Sequence, residues 1–102
     1  MHKQFTVHLP HLNYTVRFRP FKEPPSGIAR AKAWVKRDDA SSCTVYSPKN
    51  GSPPGLAHEL VHVLWFICRD RHMDFADEFE HMAYIMQYLM GQALGYEWKA
   101  HK

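Results

Sequence analysis

The chain has 102 residues, of which 45% are hydrophobic, 14% aromatic and 23% charged, with a formal net charge of +3. That length suits one domain, because chains usually divide only beyond roughly 150–200 residues, and the apolar content excludes global disorder. No apolar run reaches the roughly 18 residues a membrane-spanning helix needs, and Met1-His2-Lys3-Gln4-Phe5 is not followed by a signal-peptide core. Two cysteines, Cys43 and Cys68, are too few for a disulfide framework, so a soluble, unprocessed, cytoplasmic protein is expected.

Gln4 to Leu9 and Asn13 to Phe18 alternate bulky and polar residues, which with Pro10 to Leu12 between them predicts a hairpin. Phe21 to Gly27 reads as a loop, and alternation at Ala31, Ala33 and Val35 predicts a strand over Ala29 to Lys36. Asp38 to Ser42 reads as a turn, and Cys43 to Ser47 as a short strand stopped by Pro48. All seven prolines precede Gly55, so long helices are confined to the second half of the chain. Charge divides similarly: residues 1–57 carry nine basic and three acidic residues, net +6, and residues 58–102 carry four and seven, net −3.

The second half changes period. Ser52 is placed to cap a helix with Pro53 at its first position, and Leu56, Leu60, Val63, Leu64 and Ile67 recur at helical steps to about Cys68. Asp70 to Met73 reads as a connection. Asp74 then offers a cap for a second helix whose apolar stripe is Phe75, Phe79, Met82, Met86, Leu89, Met90 and Ala93, ending near Gly95. The fold class is therefore α+β, with an antiparallel or mixed sheet of three to four strands packed on two main helices. Strands and loops fill residues 1–50, and the two helices fill residues 53–94.

Eight histidines are many for this length, and His58, His62, His72 and His81 fall within residues 58–81. His58-Glu59-Leu60-Val61-His62 is an HExxH arrangement on the first helix. At i and i+4 the imidazoles share one face and can bind one metal ion, while Glu59, rotated by about 100°, can reach a metal-bound water. Leu60, Val61, Leu64 and Trp65 around the motif predict a partly enclosed site.

A catalytic zinc usually takes three protein ligands and keeps one open position. The candidates on the second helix are Asp77, Glu78, Glu80 and His81. Glu80 is favoured because it shares a polar stripe with Asp77, Tyr84 and Gln87; His81 stands second, and Glu78 points elsewhere.

The motif followed by Glu80-His81-Met82-Ala83-Tyr84 resembles the zincin-like metallopeptidases of the gluzincin type, in particular the minimal phage-encoded and ImmA/IrrE-type proteins, across residues 43–94. The resemblance implies a single zincin-like domain over residues 1–102. It also implies one zinc per chain on His58, His62 and Glu80, with Glu59 as general base in peptide-bond hydrolysis by a zinc-activated water. It further implies an edge strand before the motif helix that holds an extended peptide or protein substrate, at Cys43 to Ser47. Tyr84, His72 and His81 are the side chains available to stabilise an oxyanion, and loops 21–28 and 47–52 would have to form the cleft. A phage-encoded member would act in the host cytoplasm.

Two other functions compete. One is a zinc-binding interaction or inhibitor protein without significant hydrolysis. The other, less favoured, is a nucleic-acid-binding module using Arg17, Arg19, Lys32, Lys36 and Arg37 interleaved with Phe18, Phe21 and Trp34. Of the thiols, Cys68 is expected in the core and Cys43 at the surface.

Overall fold

The computed structural model describes residues 3–21, 33–48 and 52–95. Their order is β1 (Phe5–Leu9), a 3-10 turn (Pro10–Leu12), β2 (Tyr14–Phe21), β3 (Trp34–Asp39), β4 (Ser42–Pro48), α1 (Pro53–Asp70) and α2 (Phe79–Leu94). The class is α+β, as expected, with one mixed sheet in the order β1-β2-β4-β3.

The hairpin forms where the alternation places it. Val7 pairs with Val16 and Phe5 with Phe18, whose rings stack 4.6 Å apart. Pro10 presets the 3-10 turn, and Asn13 closes it at φ 49°, a left-handed conformation that Asn tolerates. β2 then pairs in parallel with β4, setting Val16 beside Cys43 and Phe18 beside Val45. Residues paired across strands share a sheet face, so Val7, Val16, Phe18, Cys43 and Val45 form one buried layer.

Helix α1 packs on β3, β4 and α2. The Ser52 hydroxyl accepts from the Gly55 N–H at 3.2 Å, with Pro53 at the first position, so the helix starts where its capping signals stand. Leu56, Leu60, Val63, Leu64 and Ile67 join Met82, Ile85, Leu89 and Ala93 of α2 in the same core. Gly95 ends α2 at φ 76°, a conformation that costs glycine little.

Several expectations are corrected. The strand Cys43 to Ser47 is not an edge: β4 lies between β2 and β3, and the sheet edges are β1 and β3. Its central place buries Cys43 completely, while Cys68 is in the core as anticipated. The β3–β4 turn shrinks to Ala40 and Ser41, because Asp38 and Asp39 continue β3 and Ser42 opens β4. The expected strand over Ala29 to Lys36 is met from Trp34 onward, and residues 29–32 lie outside the described residues, as does most of the loop read over Phe21 to Gly27.

Asp74 caps a single turn rather than α2. Its carboxylate accepts from Ala76 N–H at 2.9 Å and its carbonyl from Asp77 and Glu78, and α2 starts only at Phe79. The late start leaves Phe75 and Phe79 exposed instead of in the core stripe. No helix among the described residues is long and apolar enough to cross a membrane.

Candidate metal centre

Helix α1 sets the geometry of the HExxH residues. His58 and His62 project from its exposed side one turn apart, with ring centroids 5.3 Å apart and planes inclined by 66°. Glu59, one position on, points inward and is 7% exposed. One ligand atom from each of His58, Glu59 and His62 lies within 4.8 Å of the other two, so a possible metal-binding group is present. Two imidazole nitrogens and a carboxylate oxygen are borderline to hard donors, a set suited to zinc and its first-row neighbours.

The fit of a cation rests on one unsatisfied atom. Glu59 Oε2 is buried with no hydrogen-bond partner among the described residues. An unpaired buried carboxylate oxygen costs on the order of 1–3 kcal/mol, or more when charged, and a proton or a bound cation would remove that cost. Beside two imidazoles, a cation does so while also using both rings.

Glu59 and His58 line a cavity of about 430 Å³ between the start of α1, the end of β4 and the residue preceding β3. Ser47, Pro48 and Ser52 form part of its wall, so the described ends of the 47–52 connection do contribute to a cleft, while residues 22–28 lie outside the described residues. The enclosure expected from Val61 and Trp65 is absent. They are 56% and 60% exposed and share the histidines' side of α1, while only Leu60 and Leu64 turn inward.

Glu80 sits exposed in the first turn of α2 and is not part of the three-residue ligand group. The polar stripe that pointed to it, Asp77, Glu80, Tyr84 and Gln87, faces solvent throughout. His81 turns the other way, onto His11, and Glu78 approaches His81. Tyr84 and His81 line a different cavity, which shares no wall residue with the first. His72 follows α1 at φ 54°, exposed. None of the three oxyanion candidates therefore lines the cavity that holds His58 and Glu59.

The basic, aromatic set of the front half is divided by the sheet. Phe18 is in the core, Arg37 binds Asp70 with Nη2 2.9 Å from Oδ1, and Arg17 pairs with Asp38 at 3.4 Å. Trp34 stacks on Tyr46 and tilts against Phe21 on the face opposite the helices, where Arg19 and Lys36 are exposed. Lys32 lies outside the described residues.

A scan against protein-family models, a search of curated proteins and a search of solved structures find no match to this chain. The reading of the site therefore rests on its own residues.

Proposed function

We propose that the chain is a zinc-binding metallopeptidase of the minimal zincin-like kind, holding one zinc on His58 and His62 and using Glu59 as general base toward a peptide or protein substrate. The observation that carries this reading is the buried Glu59 carboxylate, whose Oε2 has no partner among the described residues, grouped with the two imidazoles of α1. Bound zinc would supply Lewis acidity and lower the pKa of a coordinated water. Glu59 contributes a carboxylate at the cavity wall that can take a proton from the attacking water and return it to the leaving amine. The end of β4 and the start of α1 provide a wall along which a peptide can lie. Glu80, the ligand that the resemblance implies, faces solvent outside the His58, Glu59 and His62 group and would have to move toward it to complete the site.

A second reading has its own support. Glu59 lies within ligand distance of both histidines, so it can itself be the third donor. A carboxylate engaged on the metal is not free to act as base, and the protein would then hold zinc as an interaction or inhibitor module without hydrolysis.

One variant separates the two. Protein purified without a histidine tag should carry about one zinc on the HExxH residues, and that zinc should be lost in His58→Ala. If Glu59 is the base, Glu59→Gln retains zinc and loses peptide hydrolysis; if Glu59 is a ligand, the same variant loses metal affinity. Glu80→Ala should weaken zinc binding ten-fold or more, and unchanged affinity would remove Glu80 from the site. Wild-type protein without zinc on His58 and His62 would end both readings.

A further inference from the structure

His11 and His81 come from distant parts of the chain, the 3-10 turn between β1 and β2 and the first turn of α2. Their Nε2 atoms face each other at 3.0 Å, with ring centroids 5.1 Å apart and planes inclined by 38°. On the other edge of the His81 ring, Nδ1 lies 3.5 Å from Glu78 Oε2. Both histidines line a cavity of about 310 Å³ with Leu9, Ile85 and Tyr88, apart from the cavity that holds His58 and Glu59.

Two imidazoles in this arrangement can share one proton between the facing nitrogens, or one cation. An ion holding both at about 2.0–2.1 Å sets the nitrogens about 2.9 Å apart at right-angle coordination and about 3.3 Å apart at the tetrahedral angle. The observed separation falls between those limits, so little movement is needed. Glu78 supplies the outer feature of such sites. A carboxylate at Nδ1 favours the tautomer that leaves the Nε2 lone pair free and fixes the ring's orientation.

We propose that His11 and His81 form a second transition-metal site, oriented by Glu78, which binds Zn²⁺ or a neighbouring first-row divalent ion and fastens the β1–β2 turn to α2. In the neutral pair His81 Nε2 accepts the hydrogen bond that His11 Nε2–H donates. Metal binding moves the His11 proton to Nδ1 through solvent, so no net proton is released, and water in the adjoining cavity completes the coordination. The site uses none of the HExxH residues and stands or falls separately from the proposed peptidase.

The test is a zinc titration of the untagged full-length chain carrying His58→Ala and His62→Ala, both exposed positions, followed by residue-resolved imidazole ¹⁵N NMR. One equivalent should bind, shifting Nε2 of His11 and of His81 together. Adding His11→Ala should weaken that binding ten-fold or more, and Glu78→Gln about ten-fold. Failure to bind zinc, or bound zinc that leaves the His11 and His81 nitrogens unmoved, overturns the proposal. If the double variant does not fold, the same ¹⁵N signals are followed in otherwise wild-type protein with and without His11→Ala, where an unchanged His81 response to zinc overturns it equally.

Discussion

Cys43 shows how much a single side chain's behaviour depends on its neighbours across the sheet. Burial pushes its thiol up to about 12, against the lowering from the neighbouring Tyr14 hydroxyl and Arg17, and the carboxylates of Asp38 and Asp70 add to the rise. Burial likewise raises Cys68 and the Tyr14 hydroxyl. In the unfolded chain a thiol loses its proton near pH 8.5, whereas folded Cys43 keeps it to about 12. Between those values the unfolded state binds fewer protons, so stability is complete below about pH 8.5 and is lost as pH rises toward the folded value. Denaturant midpoints measured from pH 7 to pH 10 should fall on the alkaline side, and less steeply in Cys43→Ala than in wild type. Identical slopes in the two proteins would show that Cys43 does not carry the effect. Cys43 should also resist thiol reagents in the native state. Its burial was not legible in the sequence, because it follows from parallel pairing with a strand far away in the chain rather than from any local pattern.

At the scale of elements, α1 was the most legible and its C-terminal end the least. Ser52, Pro53 and the apolar spacing announced its start and its buried face, since caps and helical period are local. Asp70 and Arg71 read only as connection, yet they bind the end of α1 to both sheet turns. Asp70 accepts from Arg37 Nε at 3.0 Å and from the Tyr14 hydroxyl at 3.2 Å. Arg71 donates to the carbonyls of Leu12, Asn13 and Ala40 and to Ser41 Oγ, at 2.7 to 3.1 Å, with its guanidinium 5.4 Å from the centre of the Tyr14 ring. Partners so distant in sequence leave no periodic trace. Each hydrogen bond to a charged group contributes about 1.5–3 kcal/mol, non-additively when several share one group, so Arg71→Ala should cost about 3 kcal/mol. Arg71→Lys should recover little of it, because an ammonium cannot spread donors over four acceptors in one plane. Urea midpoints at constant m-value measure this, and a loss below about 1 kcal/mol would mean that the two turns hold without the clamp. Helix α2 taught the opposite lesson. The apolar period located its buried side correctly from Met82 onward, but the same period carried the expected helix back through Phe75, which the turn at Asp74 excludes.

For the whole molecule the question is whether metal builds the fold or only uses it. The core runs from Val7 and Phe18 through Val45 to Leu60, Ile67 and Leu89 without including either histidine of the HExxH motif, both of which are exposed. Only Glu59 reaches inward, and burial of its Oε2 without a partner among the described residues costs the apo protein stability. A domain with an independent core does not unfold when its metal is withdrawn, unlike small metal-dependent folds whose binding energy is their folding energy. Chelator-treated protein should therefore unfold cooperatively, with a native far-ultraviolet circular dichroism spectrum. Returning zinc at about 100 times its dissociation constant should stabilise the native state by about 2.7 kcal/mol, since the ion binds the folded site preferentially. For a chain of this size that corresponds to a rise in Tm of roughly 10 °C or more. His58→Ala should remove most of the rise, and Glu59→Gln should raise the apo midpoint, because a neutral amide costs less to bury than an unpaired carboxylate. If the chelated protein is unfolded instead, the sheet and helix core is insufficient alone and the metal is part of the architecture.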